Sequence, residues 1–403
     1  MGRRVGPIGA YYLSFNLYAL GSGLVGVFLN LFFLANDSYF AVLVFQGATY
    51  LAALVAYLLA GYALLRLRPQ YLYLAGLLLF ALVLVDLLAA SGPLSNALLF
   101  GVLWGAATGV FYGGNNPMMH DITRSANRTS FVAVNNLLTG LVGLVAPVAA
   151  GALIQFSPYR GPERYLWDFV VTGAFFLAAA IVVRRVRYEA PRPGRYSLRA
   201  AFHGPGPKYR RFQLVFAVSQ MFSIPFGIIL PIYVFQRTGS YLLTGAFASY
   251  VVLLSVVANL VFRHGFRREG RFAAVAVVGI VASSLILVTG WDPPWDAFAF
   301  AGVYTVLATP LNNRVMVQFM EWIDAGPGVD RALAWSNREL YLGIGRITIL
   351  GVMLAFSGYL LRRPADLVLL LPLLSLYAVA YLGLFDADLG GPRSTDSVRA
   401  RPE

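Results

Sequence analysis

The sequence predicts an all-α integral membrane protein in which twelve transmembrane helices form two pseudo-symmetric bundles of six. Hydrophobic residues make up 59% of the 403 residues, charged residues make up only 12%, and the mean hydropathy is +0.69. This balance is typical of membrane proteins. Crossing a bilayer takes about 20 mostly apolar residues, and twelve such stretches follow one another along the chain. A long polar segment separates the sixth stretch from the seventh.

The loops between the predicted spans are short, with one exception. The spans are 9–34, 39–64, 70–90, 97–119, 131–156, 167–183, 213–236, 242–262, 272–290, 296–319, 333–359 and 367–385. The polar segment after the sixth span is rich in Pro, Gly and Arg, and Glu189 is its only acid. We therefore expect an N-terminal bundle over 1–183, a cytoplasmic basic linker over 184–212, and a C-terminal bundle with a short cytoplasmic tail over 213–403.

The basic residues predict the orientation in the membrane. With the N-terminus inside, 23 of the 31 basic residues lie in inner loops and termini, five lie outside, and three lie within spans. Basic residues of short loops stay on the cytoplasmic side, so we expect both termini in the cytoplasm and the protein in the plasma (inner) membrane. Their dispersal over short loops argues against a nucleic-acid partner, which needs a basic cluster on one face.

The loops after spans 2 and 8 carry related patterns of glycine and arginine. The first pattern begins within the end of span 2, reads GYALLRLRPQY and contains Gly61, Arg66 and Arg68, with Leu65 where an acid would complete the pattern. The second reads NLVFRHGFRREGR and also lacks the acid. With the six-plus-six arrangement and the long basic linker, these features resemble the major facilitator superfamily (MFS). The resemblance implies the MFS fold, in which two halves rock around a central cavity, and a secondary active transport function.

Span 5 resembles a signature of exporters in that family, in which glycines surround a Gly-Pro pair. Gly140, Gly143, Pro147 and Gly151 match this signature. The resemblance implies efflux, whereas small residues at this spacing also allow helices to pack closely. Both interpretations stay open at this point.

Glycine and proline interrupt apolar runs at similar places in the two halves. Glycine adds backbone freedom, and proline removes a donor and clashes with the preceding turn. The residues concerned are Gly113, Gly114, Pro117, Pro225, Pro231 and Pro310. Broken helices in corresponding halves point to a transporter's binding site, so we expect helix breaks near these positions.

Amide side chains recur within the predicted spans, where a polar group is costly unless it is partnered or faces water. They are the pairs Asn115–Asn116, Asn135–Asn136 and Asn312–Asn313, and the single residues Asn337, Asn16, Asn30, Gln46 and Gln220. Because an amide both donates and accepts hydrogen bonds, each suits either substrate contact or a bridge between helices.

The second half also has charged residues within its spans. Arg314 lies in span 10, and Arg338, Glu339 and Arg346 lie in span 11. Glu339 and Arg346 share a helix face, about 10 Å apart. We expect Glu339 to pair with Arg314 or Arg346 and, as a membrane carboxyl, to couple transport to protons. The surplus of arginine favours an anionic substrate. The inner gate is therefore expected to be neutral in the first half and charged in the second.

Catalysis finds no support in the sequence. His120, His203 and His264 show no metal-ligand pattern, no nucleotide fingerprint precedes a helix, and the chain has no cysteine. We expect no enzyme activity, metal or cofactor. The expected function is proton-coupled efflux of an amphipathic or partly anionic small molecule by a monomer in the lipid bilayer. Uptake of a polar metabolite and a non-transporting receptor or scaffold are the alternatives.

Overall fold

The computed structural model describes residues 6–36, 38–89, 94–123, 125–186, 196–203, 209–262, 269–289, 293–325, 331–357 and 368–380. Over these residues the chain is almost entirely helical. The α-helices are α1 Pro7–Asn36, α2 Tyr39–Ala63, α3 Pro69–Ala89, α4 Leu94–Asp121, α5 Ser125–Gln155, α6 Leu166–Val183, α7 Leu198–His203, α8 Tyr209–Thr238, α9 Tyr241–Val261, α10 Glu269–Ser284, α11 Ile286–Thr289, α12 Trp295–Ala325, α13 Arg331–Ala355 and α14 Leu370–Ser375. Short 3-10 helices occupy Gly161–Tyr165 and Leu376–Ala378.

Eleven long helices in the described residues follow the order of the first eleven predicted spans. In this described part of the chain, eight helices are long and apolar enough to cross a membrane. The largest differences from the prediction are at α5, which begins at Ser125, and at α12, which continues to Ala325. Helical hydrogen bonding continues there into polar sequence that hydropathy does not count as a span. The last predicted span, 367–385, is described only over 368–380.

A row of glycines on α4 brings this helix into close contact with α2. The row consists of Gly101, Gly105, Gly109 and Gly113. A Cβ atom at Gly105 would lie 2.1 Å from the carbonyl oxygen of Thr49, and one at Gly109 would lie 2.3 Å from that of Ala53. Because only glycine fits at these distances, the backbones of α2 and α4 can approach each other as small residues allow in membranes.

The helix breaks expected at glycine and proline do not occur in the described residues. Helix α4 runs through Pro117, α5 through Pro147, α8 through Pro225 and Pro231, and α12 through Pro310. Gly113 and Gly114 serve packing instead, since a Cβ atom there would lie 2.5 Å from Ala60 Cβ and 2.3 Å from the backbone nitrogen of Tyr73, respectively. Neighbouring helices support the backbone around proline in membranes, which corrects the expectation.

Two groups of helices are visible in the packing. Helices α1 to α6 pack among themselves, and α8, α9, α10, α12 and α13 form the second group. The pairs α2–α13 and α5–α9 join the groups. In α5–α9, a Cβ at Gly245 would lie 2.2 Å from the Pro147 carbonyl oxygen, and one at Gly140 would lie 2.7 Å from Val256. The exporter-like glycines of α5 therefore pack against the opposite group. The domain boundaries given above stay predictions.

The two ends of the bundle are named by their connections. The linker end is where α2 ends and α13 begins, and the far end is the opposite one. At the far end the Tyr39 hydroxyl donates a 3.3 Å hydrogen bond to Gln236 Oε1. The backbone N–H of Tyr241 donates a 3.1 Å bond to Gln155 Oε1. Both bonds join one group to the other, so the far end is closed.

At the linker end, the chain around α7 contacts both groups. Asn337 of α13 donates a 2.5 Å hydrogen bond from Nδ2 to the carbonyl oxygen of Ala201. On the other side, the ring of Tyr196 covers Gly61 of α2, where a Cβ atom would lie 2.2 Å from the ring. The same ring packs edge-on against Tyr62, with 4.9 Å between centroids. Burial raises the pKa of the Tyr196 phenol, which therefore stays neutral.

Candidate functional site

Arg346 lies in the middle of α13, between the two groups of helices. Its Nε–H donates a 2.8 Å hydrogen bond to Oε1 of Gln220 in α8. Its guanidinium carbon lies 5.2 Å from the ring centroid of Tyr50 in α2. Among the described residues no acidic side chain pairs with it. Arg346 is half-buried, and since arginine stays charged in proteins, the centre of the bundle holds a positive charge that a neutral amide and a ring face.

Arg338, on the same helix, has a carboxylate partner. Its Nη1 lies 2.5 Å from Glu339 Oε1, and both side chains are less than a fifth exposed. The guanidinium carbon lies 5.5 Å from the ring centroids of Phe216 and Trp335. The sequence predicts a pairing of Glu339 with Arg314 or Arg346, but the ion pair in the structure is with Arg338. Two long side chains of adjacent residues can meet although their Cβ directions differ by about 100°.

Two cavities lie among the helices that carry these side chains, and Arg338 lines the smaller of them. The larger, of about 500 Å³, lies between α5, α8, α9 and α12, and the smaller, of about 170 Å³, lies between α8, α12 and α13. The larger cavity has an uncharged lining, with Asn136, Thr139, Ser255, Asn259, Thr305 and Thr309 as polar members beside valines and glycines. Both cavities contact Tyr304 and Asn312. Gln220 and Arg338 line the smaller one, so a neutral compartment adjoins one that has a cation at its wall.

The asparagine pair on α4 belongs to a chain of hydrogen bonds. The Tyr11 hydroxyl of α1 donates to Asn115 Oδ1 at 3.0 Å. Asn115 Nδ2 lies 3.5 Å from Asn116 Oδ1, and Asn116 Nδ2 donates to the Tyr57 hydroxyl oxygen of α2 at 3.1 Å. Tyr57 in turn lies within electrostatic range of the ion pair on α13. Neutral groups of the first six helices thus approach charged groups of the second set.

Two other asparagines of the second group bridge helices. Asn337 is 1% exposed and accepts a 3.1 Å hydrogen bond from Gln213 Nε2 while it donates to α7. Asn313 of α12 donates from Nδ2 to Asn259 Oδ1 of α9. Arg314, the next residue, is half-buried on α12. The contacts that Asn337 and Asn313 make in the structure are thus bridges between helices.

The remaining predicted amides lie in the first group. Gln46 Nε2 of α2 donates a 2.6 Å hydrogen bond to Asn30 Oδ1 of α1, which ties these two helices together. Asn16 donates from Nδ2 to the Tyr12 carbonyl oxygen at 2.8 Å within its own helix. The Oδ1 atoms of Asn16 and Asn135 are buried without a hydrogen-bond partner among the described residues.

Four residues that the structure places at the interface of the two groups or in buried positions at the far end are absent from the sequence prediction. Tyr50 and Tyr57 lie seven residues apart on α2, so they face α13 together, a spacing that the sequence does show. Asp168 and Asp296 are buried carboxylates in the first turns of α6 and α12. Their only sequence signal is an acid at the start of a span, where an exposed interfacial residue is the ordinary interpretation.

A helical membrane bundle of two groups, with a charged centre and adjoining cavities, defines a class of membrane transporters. The family model described as Major Facilitator Superfamily matches residues 11–329. This chain belongs to the Major Facilitator Superfamily and is a multi-pass integral membrane transporter. The resemblance to this family that the sequence shows is therefore confirmed.

Individual relatives are distant. The protein YqgE of Bacillus subtilis (strain 168), described as uncharacterized, is 22% identical over 299 residues, which are 73% of this chain and 69% of that protein. The Escherichia coli fucose:proton symporter FucP has a similar structure, with a TM-score of 0.66 and 13% identity over 94% of this chain and 98% of FucP. An inward-facing bacterial homolog of the human lysosomal transporter Spinster has a TM-score of 0.61 and 15% identity, with 94% of each chain covered. At these identities the structures show the shared fold.

Proposed function

We propose that this protein is a secondary active transporter that exports an amphipathic small molecule with an anionic group by alternating access, driven by protons. The observation that carries the proposal is Arg346, a central arginine without a carboxylate partner among the described residues. Burying an ion costs several kcal/mol. A hydrogen bond from a charged group offsets about 1.5–3 kcal/mol, and a ring face offsets about 0.5–2 kcal/mol. An anionic group of the substrate on the Nη atoms supplies the missing interaction.

The cavities support an amphipathic substrate. The larger one has a volume in the range of about 300–1,000 Å³ that is usual for small-molecule sites. Its lining combines hydroxyls and amides with Val251, Val252, Val256 and Phe226. A molecule with its anionic group near Arg346 and Gln220 extends through the region of Tyr304 and Asn312 into this mixed surface.

Proton coupling is assigned to Glu339. Its carboxylate neutralises Arg338 at the wall of the smaller cavity. Protonation of Glu339 releases Arg338 from this ion pair, which changes the charge that the substrate meets and the charge near Tyr57 of the first group. A membrane carboxyl with such neighbours is suited to a proton relay.

The setting proposed for this activity follows from the loops. The linker end is the cytoplasmic end of a monomer in the plasma membrane, because basic residues of short loops stay inside. The closed far end is then the outer end of the protein.

Binding of a matched pair of probes tests the proposal. Naphthylacetate, a carboxylate, is expected to stabilise the purified protein against thermal unfolding more than its neutral amide, naphthylacetamide, does. In Arg346→Gln this difference should vanish. Equal effects of the two probes on the natural protein, or an unchanged difference in the variant, would contradict anion binding at Arg346. In proteoliposomes, Glu339→Gln should abolish uphill movement of naphthylacetate under an imposed pH gradient.

Uptake of a polar metabolite is the second candidate. The amide and hydroxyl lining of the larger cavity favours it, because such groups recognise neutral hydrogen-bonding compounds as well. Transport in the opposite direction, with a polyol as good a ligand as the carboxylate, would establish this alternative. A receptor or scaffold would show no reciprocal change in the reactivity of single cysteines placed at Asn116 and Asn30.

A further inference from the structure

Asp168 is an isolated carboxyl group in the core of the first six helices. It lies in the first turn of α6 and is 0% exposed. Neither carboxyl oxygen has a hydrogen-bond partner among the described residues, and the Tyr165 hydroxyl and Thr172 Oγ1 are likewise buried and unpartnered. Because residues three and four apart share a helix face, these four oxygen atoms lie on one side of α6.

Among the described residues, no charged side chain forms an ion pair with Asp168. Helix α1 contributes the ring of Phe32, which packs edge-on against Tyr165 at 5.3 Å and against Phe169 at 5.5 Å between centroids. On the 3-10 helix, Arg164 is directed to another ring and Glu163 is exposed. At the end of α5, the neutral Gln155 is bonded to the backbone of Tyr241. Side chains of residues 86–89 at the end of α3 lie outside the described part.

An ionised carboxylate in this place is strongly disfavoured. Burial of an unpaired ion costs several kcal/mol or more, and a charged residue inside a membrane protein normally has a partner or faces water. A protonated carboxyl is neutral and can donate one hydrogen bond. Asp168 with a bound proton is therefore the form that fits the closed far end.

Asp168 lies directly behind a contact between the two groups of helices. The ring of Tyr165 packs edge-on against Tyr241, the first residue of α9, with 5.8 Å between centroids. The guanidinium carbon of Arg164 lies 5.4 Å from the Tyr241 ring centroid. When α9 moves away from α6, Tyr165 loses this cover and water from the far side reaches the carboxyl group.

We propose that Asp168 is a proton-binding site of the far gate, which holds a proton while Tyr241 packs against Tyr165 and releases it when the gate opens. The step is one proton transfer, in which the carboxylic acid gives H⁺ to water and becomes a carboxylate. By linkage, a proton bound more tightly in the closed state favours that state, so a rise in pH favours opening. This site is separate from Glu339, and it needs alternating access but no particular substrate.

Asp296 provides a matched control. It is 1% exposed in the first turn of α12, also at the far end. In contrast to Asp168, it accepts a 2.8 Å hydrogen bond from the Tyr233 hydroxyl and a 2.7 Å bond from the backbone N–H of Ala297. Asp296 therefore has the hydrogen-bond donors that Asp168 lacks, although both are buried acids at the far end.

Infrared difference spectroscopy of the full-length protein in lipid nanodiscs detects the proton directly. At neutral pH we expect the carbonyl stretch of a protonated carboxyl group, and this band should disappear on titration to higher pH. Asp168→Asn should lack the band and Asp296→Asn should retain it. Absence of the band from the natural protein, or its persistence in a folded Asp168→Asn variant, overturns the proposal.

Cysteine labelling measures the gate in the same nanodiscs. The reporter is Thr244→Cys, at a fully buried position in the first turn of α9. Its rate of reaction with N-ethylmaleimide is divided by the rate for Phe156→Cys, which lies at an exposed position at the end of α5. The ratio should rise with pH by up to about tenfold per pH unit, since one proton is linked to opening. Adding Asp168→Asn should make the ratio independent of pH, whereas adding Asp296→Asn should leave the increase of the ratio with pH unchanged.

Three results overturn the proposal: a flat ratio in the Thr244→Cys protein, an unchanged slope with Asp168→Asn, or a slope set by sodium instead of pH. Replacing sodium with choline at each pH identifies the last case, which would assign a cation site. These outcomes do not depend on Arg346. If anion binding fails while the gate still responds to pH, only the proposed substrate class is wrong.

Discussion

The two arginines in the middle of α13 are eight residues apart, yet the protein surrounds them differently. Arg338 has a carboxylate at 2.5 Å and two rings, whereas Arg346 has one amide and one ring. Arg338 is therefore neutralised within its own helix. Arg346 has no carboxylate partner among the described residues, and in the proposed function the anionic group of the substrate takes that place. The comparison teaches that the partner of a buried charge, more than its depth, separates a structural role from a binding role.

The largest expected effect follows from removing the carboxylate of Arg338. Glu339→Gln leaves that guanidinium without its ion-pair partner, and we expect the free energy of unfolding to fall by roughly 2–4 kcal/mol. Chemical unfolding in detergent measures this change. The double variant Arg338→Gln, Glu339→Gln should recover most of it. Arg346→Gln, which leaves no carboxylate unpaired, should change the unfolding free energy by less than about 1 kcal/mol; equal losses would remove the contrast between the arginines.

Giving Arg346 a carboxylate should make it resemble Arg338. Gln220→Glu keeps the length of the side chain and places an acid at the Arg346 Nε–H. We expect the affinity for naphthylacetate to fall by about 10- to 100-fold, since 1.4 kcal/mol corresponds to about a factor of ten. Isothermal titration measures the affinity. Gln220→Leu, which removes the hydrogen bond without adding charge, should cost only a few-fold. Unchanged affinity in Gln220→Glu would show that Arg346 does not meet the anion.

Replacing the Arg346 guanidinium by the ammonium group of lysine should reduce naphthylacetate affinity less than Gln220→Glu does. Arg346→Lys keeps the positive charge but loses the planar guanidinium that binds a carboxylate with two hydrogen bonds and stacks on Tyr50. We expect about a tenfold loss of naphthylacetate affinity by the same titration. Arg338→Lys is the control, and its affinity should stay within about twofold, because that charge is already neutralised. A larger loss of affinity in Arg338→Lys than in Arg346→Lys would show that Arg338 is the arginine that binds the anion.

The smallest expected effect concerns the ring across the interface. Tyr50→Leu removes the aromatic face beside Arg346 and should weaken naphthylacetate binding by about two- to fivefold, in line with about 0.5–1 kcal/mol for such a contact. Trp335→Leu removes a ring beside Arg338 and should affect unfolding more than binding. A loss of affinity that is larger in Trp335→Leu would contradict the assignment of Tyr50 to the site.

The sequence predicts the helices well because a span is a local property of apolar residues. It does not predict which residues of two helices meet, because this depends on helix rotation and on the approach of neighbours. Glu339 illustrates the limit: helical phase favours Arg346, but the flexible side chain of Arg338 pairs with it. Asp168 illustrates another, since an acid at the start of a span gives no sign of its burial. The pairing of Gln220 with Arg346 joins two predicted residues by a contact that neither predicts alone.

The proline and glycine positions show the same limit from the other direction. Pro117 and Pro310 break a helix in isolation, but α4 and α12 continue because surrounding helices hold them. The glycine row of α4 is visible as a four-residue repeat in the sequence. That α2 is its partner emerges only from the fold, in which Gly105 lies against Thr49.

The contact of the Tyr196 ring with Gly61 limits how far α2 and α13 can separate at the linker end. This ring anchors the chain before α7 to α2, while the bond from Asn337 to Ala201 anchors α7 itself to α13. A strap of only five residues, 197–201, therefore spans two helices that belong to different groups. A conformational change that separates α2 from α13 at this end must break either the contact of the Tyr196 ring with Gly61 or the hydrogen bond from Asn337 to Ala201. Residues 196–201 thus limit how far the two groups can separate at the linker end while both contacts persist.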